Sequence, residues 1–380
     1  MSKTINVREL RKRCQLDGGA ATVSHITEAL QSGALVPEDF SFRDIAEAML
    51  PDGAAMLEDG AVLNEDVAVT AVNTIGAVIE TKIKEAYRHE SFAASKLVKT
   101  IPTRYDGEKI YQFGSIDDSS LEVGVNSPYP AHNFDADYIE TPGTSKRGLI
   151  VPVTRETVFF DRTHQVLERA AEVGEVLAMS KEKRILEMIL GLTNSYKYNG
   201  AAKNTYYSGA AGEPWKNLLS DNELQNWTDI EAAEDLFGAM TDPVNGHPVL
   251  IEADNVLVMP AKRHLAHRLF YASSVSYEDD TTSTTTAIRN PFAKYKLVSS
   301  RLGYQLLKSV TPTITNPEKI WVIGNFKKAF AYMENWGITV TRSGSGSEAD
   351  FTRDVIVRFK ASERGVPAVL DPRYAVKCTG

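Results

Sequence analysis

The stretch from Val153 to Gly191, VTRETVFFDRTHQVLERAAEVGEVLAMSKEKRILEMILG, restricts the fold more tightly than any other part of the chain. Val166, Ala170, Val173, Leu177, Ile185 and Ile189 form an apolar stripe at helical spacing, interrupted at Lys181, with charged residues opposite. Asp161 is placed to cap the N-terminus, and Gly191 to follow the C-cap. A helix over residues 162–190 runs roughly 43 Å at about 1.5 Å per residue, against ~11–12 residues for an ordinary globular helix. It therefore reads as a spine across the molecule.

The flanking segments read as a mixture of helix and sheet. Helical patterns cover Phe42 to Leu50 and Val67 to His89, separated by Pro51-Asp52-Gly53 and Glu58-Asp59-Gly60 turns. Leu97 to Phe113 alternates around a turn at Tyr105 to Glu108, and Ile116 to Ser145 is rich in Asp, Ser, Pro and Gly. Beyond the spine, residues 193–227 read as irregular with short strands. A helix is expected near Asp229 to Met240, a strand at Asn255 to Met259, and a helix from Pro260 to Tyr271. The polar run Glu278 to Thr286 reads as a surface loop. Strands are expected at Tyr304 to Lys308, Ile320 to Ile323, Ala329 to Met333 and Ile338 to Thr341, with the loop SGSGSE after them.

The closing segment, DVIVRFKASERGVPAVLDPRYAVKC, alternates Val355, Val357 and Phe359 against Ile356, Arg358 and Lys360. Glu363-Arg364-Gly365 reads as a turn between two short strands, with Pro367 and Pro372 bounding Ala368 to Leu370. The chain is thus expected to finish inside a sheet.

Composition narrows the function classes. A hydrophobic fraction of 43% and a charged fraction of 24% over 380 residues suit a folded chain and exclude wholesale disorder. The first residues lack a signal-peptide core and no run of apolar residues is long enough to span a bilayer, so an intracellular product without a membrane anchor is expected. The net charge of −8 repels a phosphate backbone, the local exception being Arg8, Arg11, Lys12 and Arg13. Cys14 and Cys378, at opposite ends, do not suggest a disulfide framework.

Catalytic signatures are not matched. His264 and His267 are spaced i, i+3 with no glutamate between them, unlike the helical zinc-protease motif. SGSGSE lacks the Lys-Ser/Thr that a phosphate loop needs. Asp117-Asp118 and Asp279-Asp280 lie in polar stretches with no apolar neighbours to raise a pKa. These features favour a binding or structural role. The excursion over residues 103–147 is too polar to bury itself, and a long loop of this kind is explained if it lies on another subunit.

The order of a helical arm, an extended two-stranded excursion, GLIVPVTRETVFFD leading into the long helix, a mixed central region and the closing strands resembles a major capsid protein of a tailed bacteriophage with the Hong Kong 97-type fold. The resemblance covers most of the chain from about Phe92 and is carried best by Thr154 to Gly191 and Arg358 to Lys377. It implies an α+β fold divided into an N-terminal arm or small helical region (1–95), an extended loop (96–150), a peripheral domain (151–228 and 351–380) with its spine helix (162–190), and an axial domain (229–350). It implies no catalysis, no cofactor and no metal. The implied role is self-assembly as pentamers and hexamers into an icosahedral shell around double-stranded DNA, bound without sequence specificity. The implied partners are a portal, a separate scaffold and cement or decoration proteins. The implied setting is the virion capsid, assembled in the bacterial cytoplasm, with no membrane contact. Contact residues between subunits are then Tyr105, Lys109, Tyr111, Phe113, Tyr129, Phe134, Tyr138 and Arg147, with Tyr277, Glu278, Asp279 and Asp280 at an axial loop. An encapsulin-like nanocompartment shell is the close alternative. A metal-dependent hydrolase built around His264 and His267 is the alternative from another class, and a tail or adhesin subunit a third.

Overall fold

The computed structural model describes residues 12, 16, 19–39, 41–49, 65–88, 92–113, 136–154, 156–157, 160, 162–194, 196–242, 246, 248–278, 285–310, 314–343 and 355–380. Asp161, Cys14 and the SGSGSE loop from Gly344 lie outside these residues. The chain divides into two compact units, the first from Met1–Ser91, Lys146–Ser180 and Trp336–Arg364, the second from Phe92–Ser145, Lys181–Asn335 and Gly365–Gly380.

The first unit packs helices on a sheet. Helices Gly19–Gln31, Phe42–Met49 and Glu65–Tyr87 share a core with the opening turns of the long helix Thr163–Ile189. Phe42, Ile45, Val78, Ile79 and Ile83 meet Val166, Leu167 and Ala170 from that helix. They also meet Val151, Val153, Val357, Phe359 and Ala361 from the strands, so the expected inward face of residues 355–359 is confirmed. Residues 355–364 lie between residues 336–342 and 146–154 in this sheet. The backbone N–H of Phe42 donates to the Thr163 hydroxyl at 2.9 Å, a buried bond that fixes the start of one helix on the other. At Gly174 an added Cβ would stand 2.4 Å from the Ile83 carbonyl oxygen, so the two helices touch backbone to backbone there.

The second unit is built on a five-stranded sheet in the order Lys296–Ser299, Asn255–Val258, Trp321–Gly324, Ala375–Cys378, Leu218–Leu219. The outer pairs are parallel and the inner pairs antiparallel. Both faces are covered. Leu257, Val322 and Ala375 point into a core with Ile185, Ile189, Leu306 and Leu307. Val256, Val258, Trp321, Ile323 and Val376 point into another with Ile230, Ala233, Phe237, Ala266 and Phe270. Burial on both sides explains why these strands read as short continuous apolar runs. Asn217, fully buried, stitches the sheet edge: its amide donates to the carbonyls of Thr205, Pro372 and Ala375, and its Oδ1 accepts from the Tyr207 N–H at 2.7 Å.

Several expectations need correction. Tyr304 to Lys308 is helical, within Arg301–Ser309, because Ser300 accepts from the Gly303 N–H as an N-cap and Leu302, Leu306 and Leu307 share one helical face. Val355–Val369 is a single strand, so Glu363-Arg364-Gly365 is not a turn and Pro367 does not end the ladder. Gly365 is required by space: a Cβ there would lie 2.6 Å from the Tyr332 ring and 2.7 Å from the Met333 carbonyl oxygen. The strands foreseen at 329–333 and 338–341 are one, Phe330–Arg342. Glu278, Thr285 and Thr286, read as loop, belong to a paired hairpin, Ser274–Glu278 with Thr285–Arg289. The long helix, Thr163–Ile189, falls within a residue of its expected ends, and Gly191 follows it with φ +67°.

Two outcomes test this packing. Gly174→Ala should cost about 1–3 kcal/mol by forcing the helices apart, whereas Gly238→Ala, with open space around it, should be neutral; chemical denaturation of unassembled subunits reads both. Lys377 donates to the Leu190 carbonyl at 2.7 Å, past the end of the long helix, and burial lowers its pKa from 10.5 to about 8. Between those values the unfolded chain holds a proton that the folded chain has lost, so this group makes stability rise with pH across that window. Lys377→Met should flatten the rise, seen as the difference between variant and parent urea midpoints below pH 8 and at pH 10.5.

Candidate assembly surface

Strands Lys109–Phe113 and Ala136–Glu140 pair antiparallel, with Lys109 opposite Glu140 and Tyr111 opposite Tyr138. Alternation sends Ile139 into the second unit's core at 1% exposure and sets Ile110 against Ala331, Met333 and Ala368. The other face carries Lys109, Tyr111, Tyr138 and Glu140. Tyr111 is 61% exposed and meets Tyr138 edge-on at 6.1 Å. The Lys109 ammonium lies 4.2 Å from the Tyr138 ring centre and 3.7 Å from Glu140, which also faces Lys197 at 3.8 Å. The pKa of Lys109 is raised, first by its hydrogen bond to Tyr138 and then by the attraction of that group's charge.

Hydrogen bonds between residues far apart in the sequence hold this hairpin in place. The Glu108 N–H donates to the Thr141 hydroxyl at 2.8 Å, closing the hairpin base. Asn199, in a left-handed conformation before Gly200, accepts from the Tyr138 N–H at 2.9 Å, while Lys197–Tyr198 and Ala201–Ala202 extend the sheet. The hairpin is therefore a supported, preformed platform with one aromatic and charged face turned outward.

Of the residues singled out from sequence, Lys109, Tyr111 and Tyr138 come together on this face. Tyr105, 67% exposed, stands in the turn below it, where its carbonyl accepts from the Asn335 side chain at 3.1 Å. Phe113 ends its strand, whereas Tyr129 and Phe134 lie outside the described residues. Arg147 belongs to the first unit, in a run where residues 145–150 are all exposed, including Leu149 and Ile150. Tyr277 and Glu278 lie on the hairpin strand Ser274–Glu278, and Asp279 and Asp280 lie outside the described residues. Sequence reasoning missed Glu140 and Lys197, whose charges complete the cluster around Lys109; the cross-strand position of Glu140 opposite Lys109 is the signal that finds it.

His264 and His267 are exposed on helix Arg263–Tyr271. Among the described residues no group of three metal-ligand side chains comes together, and no helix is long and apolar enough to cross a membrane. A family model described as a phage capsid protein matches residues 139–378, well over half of the chain. This chain belongs to the phage capsid protein family. The capsid protein is thus a structural, non-enzymatic component of the virion shell, and self-assembly is its work.

Among solved structures the capsid protein is similar to a chain from Mycobacterium phage Ogopogo, with 15% identity, a TM-score of 0.44, and 76% of this chain and 92% of the other covered. It is also similar to the capsid structure of the cyanophage P-SCSP1u, at 12% identity and TM-score 0.45, covering 74% and 86% of the two chains. A third likeness is to the holo-SrpI encapsulin complex from Synechococcus elongatus PCC 7942, at 12% identity and TM-score 0.40, covering 74% and 85%. No curated protein matches the chain.

The two faces of the hairpin should separate on mutation. Tyr111→Ala should leave subunit stability within about 0.5 kcal/mol of the parent, whereas Ile139→Ala should cost about 2–5 kcal/mol; urea unfolding of unassembled subunits distinguishes them.

Proposed function

We propose that this capsid protein assembles as pentamers and hexamers into an icosahedral shell enclosing double-stranded DNA, with the Hong Kong 97-type division of labour. In this reading residues 96–150 form the loop laid over a neighbouring subunit, residues 151–228 and 351–380 the peripheral domain, and residues 229–350 the axial domain, with residues 1–95 as an arm or small helical region. The observation that carries it is the hairpin at 109–113 and 136–140: its inner face is anchored through Ile139, and its outer face offers Lys109, Tyr111 and Tyr138 to a partner. Aromatic and cationic side chains on a rigid support are the residues that carry binding energy in protein interfaces. Tyr105, Phe113, Tyr129, Phe134 and Arg147 are further contact residues in this reading.

A net charge of −8 suits a container that holds DNA without gripping it. Each contact can be modest, because closure of the shell multiplies them. The shell is assembled in the bacterial cytoplasm with a separate scaffold, a portal and cement or decoration proteins as partners.

Because Ile139 is part of the core, the informative deletion spares the strands. Replacing residues 114–135 with a short Gly-Ser turn should give a folded subunit that forms no closed shells by electron microscopy. Shells of parental size from that variant would remove the loop from the assembly contact. Nuclease-protected DNA in purified particles supports the phage-head reading, and particles loaded with protein instead would point to a nanocompartment.

A further inference from the structure

We propose that the cavity walled by Glu234, Glu252 and Asp254 is a receptor for cationic side chains, and that its occupant is the exposed basic side of helix Arg263–Tyr271 from a second copy of this chain. This deepens the ring-forming reading above and rests on it.

The cavity has a volume of about 580 Å³, a size at which clefts hold ligand groups. Its walls carry these three carboxylates against one lysine, Lys294. Glu234 is already engaged: it accepts from the Tyr295 hydroxyl and lies 2.9 Å from the Lys294 ammonium. Asp254 and Glu252 are not. The Asp254 backbone is fixed, its N–H donating to the Gly324 carbonyl at 3.3 Å and its carbonyl accepting from the Lys296 N–H at 2.9 Å. Yet its Oδ1 is buried without a hydrogen-bond partner, and among the described residues no cation pairs with it or with the exposed Glu252. A carboxylate left unpaired in half-buried surroundings is unfavourable until a cation arrives. Leu250, on the same wall and 91% exposed, adds an apolar contact beside the charge.

The complement stands on the same unit. His264, His267, Arg268 and Tyr271 run along one side of the helix with Arg263 at its start, all exposed, and among the described residues neither arginine makes an ion pair. Such a row is conspicuous on a chain of net charge −8. Guanidinium groups match carboxylates in geometry as well as charge, and opposite charge on two surfaces of one chain favours contact between copies over misaligned pairings. Tyr271, 51% exposed with its ring 4.9 Å from that of His267, is the counterpart of Leu250. The two surfaces are rigidly joined. Phe270, on the buried side of the helix, meets Tyr295 edge-on at 5.7 Å, and the Tyr295 hydroxyl is what holds Glu234 at the cavity. Every copy thus presents receptor and ligand in a fixed relation, which is the requirement for a head-to-tail contact that closes into a ring.

Charge changes and a crosslink test the pairing. Arg263→Glu/Arg268→Glu and, separately, Glu252→Lys/Asp254→Asn should each lower the yield of rings and shells about tenfold at moderate salt while leaving soluble, folded subunits. All four changes in one chain should restore assembly, because the two surfaces are then complementary again. Leu250→Cys/Tyr271→Cys, at two exposed positions, should give particles that copper phenanthroline oxidises to a covalent ladder of up to five and six subunits on a non-reducing gel, with either single variant giving none. A disulfide confined to single subunits would make the contact intramolecular and overturn the proposal, as would assembled particles with no ladder. Normal shells from either charge variant would also overturn it and leave the capsid reading intact. A parent chain that never forms rings or shells overturns both readings.

Discussion

The second unit depends on one constraint: Trp321–Gly324 is the middle strand of a sheet buried on both faces. With no face left for water, every side chain must find an apolar neighbour above or below, and every backbone group a partner in the ladder. Trp321 meets this by donating its indole N–H to the Asn222 carbonyl at 2.9 Å, so even the largest buried side chain is satisfied. A close approach follows at the strand's end, where a Cβ on Gly324 would stand 2.2 Å from the Tyr374 carbonyl oxygen. Neighbouring elements inherit these limits, including the last turns of the long helix and the pair of helices opposite.

Where polar groups enter these cores they serve as joints. Glu182, 3% exposed, accepts from the N–H groups of Ala94 and Ser95 at 2.6 and 2.9 Å, capping the short helix Ala94–Leu97 from within the long one. Its pKa is raised by burial, with those same donors opposing the shift. Asn217 and Asn290 do comparable work with neutral amides, each holding three carbonyls. A buried amide that satisfies several backbone groups at once fixes a single arrangement of loops, because any slippage leaves donors and acceptors unpaired.

The parts legible in the sequence were those governed by periodicity. The long helix announces itself through Val166 to Ile189 and stops at Gly191, and the inward row Val355, Val357, Phe359 follows the strand period. The misreadings came where local chemistry had two meanings. Gly365 looks like a turn residue, but the crowding of Tyr332 and Met333 is what demands it, and that crowding is a tertiary fact. Residues 304–308 alternate like a strand, yet the Ser300 cap and the leucines at 302, 306 and 307 set a helix. On the outer face of the hairpin the aromatic residues were readable as candidates. The fit of Lys109 between Tyr138 and Glu140, and the anchoring through Asn199, depend on a register that spans sixty residues and no local pattern encodes.

The strand order of the five-stranded sheet also sets a timetable. Among the described residues 218–219 pair with the strand 375–378, and 321–324 pairs on one side with that same late segment. Residues 375–378 must therefore have emerged before the sheet can close, since loop closure over such separations precedes any stabilising contact. Until then Val376, Cys378 and Ala375 are missing from the two cores they fill, and apolar surfaces stay open to chaperones or to one another. Completion of this sheet thus waits on the emergence of four residues.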